Sequence, residues 1–242
     1  MSHEKFEGRC DGFVLRKQPY RESGFLIDLF TREEGRLKIL VRGRKRKAQA
    51  ELELFTFGAW YLKEGRTFYF LNEYDLLQQF RLKGREIWVA YYLNELLLRL
   101  FPQHQPSPEL FEIYYRTLTS LKEEKAIEPY LRQFEGTLLS FLGILPDFGF
   151  DAAGDEIQRE QLYSLLPEEG FIPGAHVGLL VVRGETLHNI LVNQDLTRED
   201  ALRYRDIMRT LLTPLLGSKP LQSRIWLQKL YQPVGTNLKS DL

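Results

Sequence analysis

The spacing of apolar residues changes abruptly near residue 84, and that change limits the available folds more than any other feature of the chain. Before it lie five short runs rich in aromatic and branched side chains: CDGFVLRKQPY, ESGFLIDLFTREEG, RLKILVRG, LFTFGAWYLKEG and RTFYFLNEYDLL. Turn signals separate them, at Pro19, Glu34-Gly35, Gly43 and Glu64-Gly65. Alternation is clearest in GFLIDLF, where Phe25, Ile27 and Leu29 can share one face opposite Leu26, Asp28 and Phe30. Five strands within about 75 residues predict a small closed barrel, for which an OB-fold is the natural candidate.

After residue 84 the spacing becomes helical. In REIWVAYYLNELLLRLF, Trp88, Tyr92, Leu96 and Leu100 recur at i, i+4. SPELFEIYYRTLTSL opens with Ser107 as N-cap and Pro108 at the first helical position. PYLRQFEGTLLSFLG sets Leu131, Phe134, Leu138 and Phe141 on one side and ends at Gly143. These three helices are too apolar to stand alone and are expected to form a bundle. Residues 144–196 break the pattern: PDFGFDAAGDE reads as loop, and EGFIPG and HVGLLVVRGE as short strands or a hairpin. Thr197 with Asp200 three residues later starts another helix in the manner of a capping box, which Pro214 should kink or end. PLQSRIWLQKLY reads as a final helix. The expected architecture is α+β and multidomain. It comprises a barrel over 1–80, the first part of a helical domain over 81–146, a small loop/β insertion over 147–196, and C-terminal helices over 197–242 that complete the helical domain.

Composition excludes several classes. Apolar residues make up 43% and aromatics 13% of 242 residues, enough for a sizeable core. The single cysteine, Cys10, rules out an intramolecular disulfide and any cysteine-based zinc site and fits a reducing cytosol. No apolar run approaches a membrane span, and MSHEKFEGRC has no apolar signal core, so an intracellular soluble protein is expected. Phosphate-loop, dinucleotide and serine-hydrolase motifs are absent, no cofactor is indicated, and the four histidines lack metal-ligand spacing.

Charge carries the strongest functional signal. The chain balances 33 Lys and Arg against 33 Asp and Glu, yet the stretch 36–47 holds seven cations: Arg36, Lys38, Arg42, Arg44, Lys45, Arg46 and Lys47. No acid lies between Gly35 and Ala50. Such clustering is self-repulsive, and a polyanion that relieves it is the expected partner. The run falls in the connection between strands three and four, at a barrel mouth. Neutralising about six phosphates of a single strand would give log K against log salt a slope near −4. Among the aromatics of FTFGAWYLKEGRTFYF, core filling is the expectation for any one residue, with one or two of Trp60, Tyr61 and Tyr69 turned outward to stack on bases. Near the C-terminus Arg205, Arg209, Lys219 and Arg224 either extend a phosphate track or pair with the acidic middle of the chain, residues 81–197, where 17 acids outnumber 10 bases.

In order and spacing, FVLRKQPYRESGFLIDLFTREEGRLKILVRG, YLNELLLRLF, LRQFEGTLLSFLG, GFIPG and LLGSKPLQSR resemble the bacterial RecO family of recombination mediators, over roughly residues 6–230. The resemblance implies an N-terminal OB domain followed by a helical domain with a zinc-ribbon-like insertion. It implies binding of single- and double-stranded DNA and annealing of complementary strands in DNA repair and recombination. It also implies contact with the C-terminal tail of single-stranded-DNA-binding protein, action with RecR to load RecA, no catalysis, and a place in the bacterial cytoplasm at the nucleoid. The basic run falls where the family's barrel binds DNA. Many members carry four zinc-binding cysteines in the insertion; here Asp151 and Gly154 stand where the first pair would, so the insertion is expected to hold together by packing without metal. An acidic tail ending in an apolar residue needs an apolar groove edged with cations, and Arg132, with Arg116 and Lys122, is the expected contact; an ion pair of Arg132 with Glu128 or Glu135 is the alternative.

Other functions stand beside this one. An RNA-binding OB protein would share the basic run and the aromatics. A metal-dependent nuclease would use Asp147, Asp151, Asp155 and Glu156, although a Gly/Asp loop built on Asx turns explains the same residues. A pure interaction scaffold would bind no DNA.

Overall fold

The structure is a computed structural model, and it describes residues 7–21, 24–42, 51–123, 127–192, 196–223 and 225–226. Five strands, β1 (Glu7–Tyr20), β2 (Gly24–Thr31), β3 (Gly35–Val41), β4 (Thr56–Glu64) and β5 (Tyr69–Gln79), close into a barrel in the order β1-β2-β3-β5-β4. The long β1 makes closure possible. Its first half pairs with β4, its second half with β2, and a bulge between Val14 and Arg16 bends it between the two. The parallel pairing of Ile39 and Leu40 with Tyr69 and Phe70 shuts the remaining side. This is the expected OB arrangement.

Alternation in β2 and β3 holds as read. Phe25, Ile27 and Leu29 join Leu37, Ile39 and Val41 in the barrel core, with Val14, Trp60, Leu62 and Leu71. Trp60 is fully buried, and its indole N–H donates to the Gly12 carbonyl at 2.9 Å. Burial, reinforced by Glu33 and Glu34, pushes the Cys10 thiol up to about 12, so it sits among these side chains as an inert apolar group. Of the three aromatics considered for stacking, Trp60 and Tyr69 are core and Tyr61 is half-buried.

The barrel's outer side is apolar as well, which sequence alternation alone does not announce. Phe13, Phe30 and Phe57 pack on Phe111, Tyr114 and Tyr115, with ring centroids 4.8–6.3 Å apart throughout this cluster. Those partners lie on α2 (Pro108–Lys122), which follows α1 (Gly84–Leu100). Ser107 caps α2 by accepting from the Leu110 N–H, with Pro108 behind it, as expected. Asn94 of α1, 2% exposed, donates to the Leu15 carbonyl at 2.7 Å and accepts from the Tyr114 hydroxyl at 2.6 Å. One side chain thus satisfies β1 at its bulge, α1 and α2 together. The buried stripe of α1 runs through Val89, Leu93 and Leu96-Leu97; Trp88 and Leu100 sit at its margins.

The chain divides into two compact units, Met1–Lys125 with Ser218–Leu242, and Ala126–Gly217. Of the three helices expected to form a bundle, α1 and α2 fall in the unit with the barrel and α3 (Glu128–Phe141) in the second unit. That unit also holds α4 (Gly184–Leu191), α5 (Arg198–Leu216) and a three-stranded antiparallel sheet. The sheet, ordered β7-β6-β8, is formed by β6 (Leu162–Leu166), β7 (Gly170–Pro173) and β8 (Leu180–Arg183). Thr197 and Asp200 form the expected cap, and α5 ends two residues past Pro214. The expected final helix lies largely outside the described residues. In the insertion, the Asp151 carboxylate accepts from the Ala153 and Asp155 N–H groups at 2.9 and 3.0 Å, closing a turn at the place where a cysteine pair was expected in metal-bearing relatives. Tyr163, Leu165, Phe171 and Val182 are buried beneath it.

Candidate nucleic-acid interface

One end of the barrel gathers three separated pieces of sequence. The end of β1 pairs Tyr20 with Gly24 across the first turn, and Phe25 of β2 pairs with Val41 at the end of β3. The β3–β5 pairing then sets Leu40 beside Phe70, just past the turn between β4 and β5. A cleft of ≈ 460 Å³ opens among Tyr20, Arg21, Gly24, Leu40, Arg42, Arg66, Thr67, Phe68 and Phe70.

Its walls are arginine on aromatic. The Arg42 guanidinium lies 4.1 Å from the Phe70 centroid, and that of Arg21 lies 5.3 Å from the Tyr20 centroid. Tyr20 and Phe68 meet edge to face at 5.7 Å, joining the two hairpins. Gly65 permits this closure: a Cβ there would stand 2.5 Å from the Phe70 ring and from the Phe68 carbonyl oxygen. Arg21, in the cleft wall, has φ 52°, a left-handed conformation that residues other than glycine rarely adopt.

Electrostatics set the cleft apart from the rest of the barrel. Among the described residues no carboxylate lines it. Elsewhere several of the barrel's cations are matched by acids: Arg9 with Asp11 at 2.8 Å, Arg16 with Asp28 at 2.8 Å, Lys17 with Glu53 at 3.0 Å, Arg32 with Glu112 of α2 at 3.1 Å and Lys63 with Glu7 at 2.9 Å. Such surface pairs stabilise little, but they decide which cations face outward uncompensated. Three that do are Arg21, Arg42 and Arg66.

The structure distributes the residues expected to bind DNA unequally. Arg42 stands in the cleft. Lys38 is half-buried on the outer face of β3, opposite Asp28. Arg36 is corrected from a DNA contact to a structural one. Its side chain is 11% accessible, it donates to the Phe101 carbonyl at 3.0 Å and it faces the buried Asp28 at 3.5 Å. Burial lowers its pKa, with Asp28 opposing that shift. Arg44, Lys45, Arg46 and Lys47 lie outside the described residues, as does Arg224.

Of the other candidates, Arg205 pairs with Asp206 at 3.0 Å, Arg209 is exposed, and the exposed Lys219 gives its carbonyl to Arg99 at 2.7 Å. Arg132 is 8% exposed and bonded to Glu135 at 2.7 Å, with Glu128 at 3.8 Å, so its guanidinium is engaged within its own helix. Arg116 and Lys122 are exposed on α2, in the other compact unit. Among the described residues no group of His, Cys, Asp and Glu could hold a metal ion, and Asp147 and Asp151 accept backbone N–H groups as turn-formers. No described helix is long and apolar enough to cross a membrane.

Tyr20, Arg21, Arg66 and Phe68 were not anticipated. Their signal is an arginine beside an aromatic at a hairpin turn, in PYRESG and EGRTFYF.

Comparison with known proteins divides the chain at the end of the barrel. Residues 1–80 match the family profile described as Recombination protein O N terminal, and residues 81–224 match Recombination protein O C terminal. The DNA repair protein RecO of Pseudoalteromonas translucida (strain TAC 125) is 32% identical over 221 residues, spanning 88% of this chain and 94% of that one. Those of Aliivibrio salmonicida (strain LFI1238) and Pseudomonas aeruginosa (strain LESB58) are each 36% identical, over 89% and 88% of this chain and 92% and 91% of theirs.

Proposed function

This chain belongs to the RecO family of DNA repair proteins, and from that premise we propose that it is a recombination mediator that works by binding, without chemistry of its own. In this reading the barrel binds single- and double-stranded DNA at the end carrying Arg21, Arg42 and Arg66, with Arg44 to Lys47 following Arg42 in the chain as a cationic arm. The observation that carries it is a cleft lined by three arginines and, among the described residues, no carboxylate, on a barrel where Arg9, Arg16, Lys17 and Lys63 pair with acids. A polyanion supplies the missing countercharge and releases its own counterions in doing so.

Mediation then needs two weak contacts on one molecule. Single-stranded DNA coated by its binding protein resists pairing, so a mediator must touch strand and coat together. Joining the two contacts raises the effective concentration of each without ATP. The helical part is proposed to take the acidic tail of the coating protein, Arg116 and Lys122 being exposed there. Annealing follows because a cationic surface screens repulsion between two strands held close, and RecR and RecA act on the cleared strand.

The test is annealing of complementary oligonucleotides coated with single-stranded-DNA-binding protein, without ATP. Acceleration by this protein is expected, and weakening of it when the coat lacks its tail. No acceleration on coated strands, together with no DNA binding, refutes the reading. Competition between equal-length DNA and RNA strands tests the RNA-binding alternative.

A further inference from the structure

We propose that the cleft between the two hairpins is a subsite for one unpaired nucleotide of single-stranded DNA, with its base stacked against the aromatic wall and its phosphates held by Arg21 and Arg66. This rests on the DNA-binding reading above and adds to it what that reading leaves open: the form of DNA the barrel end distinguishes.

Size argues first. A volume of ≈ 460 Å³ falls within the range of about 300–1,000 Å³ that holds a small molecule, and so suits a nucleotide rather than a segment of duplex. The walls argue second. Tyr20, Phe68 and Phe70 are half-buried, so their rings are fixed by packing yet reach the opening. Arg42 over Phe70 covers one ring face and keeps the opposite side of its guanidinium for another planar group. Only an unpaired base offers a free face; in a duplex that face is hidden in the stack. Charge argues third, because Arg21 and Arg66 stand on opposite hairpins at the rim and, among the described residues lining the cleft, none is an acid.

The lining also sets selectivity. Among the described residues it contains no Asn, Gln, Asp or Glu to read a base edge, and Thr67 and the Tyr20 hydroxyl are its uncharged polar groups. Stacking is sequence-tolerant, so the subsite accepts each base alike and rejects the absence of one. A strand anchored at one nucleotide keeps its neighbouring bases unstacked from protein, free to meet a complement.

The test uses the full chain and three fluorescent probes: a short oligothymidylate, the same strand with abasic spacers, and a duplex of equal length. The wild-type protein should bind the oligothymidylate about tenfold more tightly than the abasic strand. Phe68→Ala should erase that advantage, weakening the oligothymidylate about tenfold more than the abasic strand or the duplex. Phe68→Trp should restore it, whereas Phe68→Leu, which keeps the packing but not the ring, should not. The subsite is overturned if Phe68→Ala leaves the oligothymidylate unaffected, if it weakens all three probes alike, or if the leucine variant binds as the wild type does. Failure of the wild-type protein to bind any probe overturns the DNA reading itself and the subsite with it.

Discussion

Replacing Arg21, Arg42 and Arg66 together by Gln gives the most direct measure of how the barrel end meets DNA. Gln keeps part of each stem over Tyr20 and Phe70 while removing the charge, so the cleft should retain its shape. None of the three has a carboxylate partner among the described residues, so each should exchange counterions with one phosphate. At about 0.7 per phosphate on a single strand, log K against log salt should become shallower by about 2. Between 50 and 200 mM salt the wild-type protein should therefore lose roughly twentyfold more affinity than the variant. Fluorescence anisotropy of a labelled oligothymidylate, titrated at several salt concentrations, reads this directly. Changing Arg44, Lys45, Arg46 and Lys47 to Ala should remove a further slope of about 3. An unchanged slope in the Gln variant, with thermal unfolding like that of the wild type, would falsify the claim that uncompensated arginines make this end the DNA-binding one.

Arg36→Met should behave in the opposite way: removing the cation that faces buried Asp28 should cost about 3 kcal/mol in urea unfolding and leave the salt slope of DNA binding as it was. Asn94→Ala strands the Leu15 carbonyl and the Tyr114 hydroxyl, and should cost about 3 kcal/mol by the same measurement. Asp200→Ala, which removes the acceptor for Thr186, Asn189 and Thr197, should destabilise the second unit by about 2–3 kcal/mol. Burial pushes the Asp200 pKa up, but those hydrogen bonds outweigh it and hold the carboxyl below its ordinary 3.8. Its contribution is thus complete above that value and disappears as the pH falls through the lower folded value, so acid unfolding of the wild type should show a step that the variant lacks.

Much of the fold was legible because it depends on local rules. Alternation in GFLIDLF, the Ser107-Pro108 and Thr197-Asp200 caps and the turn glycines Gly35 and Gly143 each act within a few residues, and the structure keeps them. β6 escaped notice because LYSLL, with its fully buried Ser164, lacks a clear period of two; the Ser164 hydroxyl is satisfied instead by the Gly174 carbonyl. An apolar stripe says that a helix face is covered, not by what. Phe30 and Phe57 point out of the barrel and cover part of α2, a contact that the spacing of α2 alone does not announce.

The candidate site divides along the same line. Density of positive charge is a property of the chain, and the sequence alone located it between Arg36 and Lys47. Which of those charges stay uncompensated is a property of packing: Arg36 is engaged with Asp28 and the Phe101 carbonyl, while Arg42, just past β3 and only six residues on, lies on Phe70. Arg21 and Arg66 lie 45 positions apart and become neighbours only because β3 and β5 pair in parallel to close the barrel. The sequence alone shows the concentration of positive charge; closure of the sheet decides which described cations share the cleft, because a side chain's partners are set by the strands beside it rather than by its neighbours along the chain.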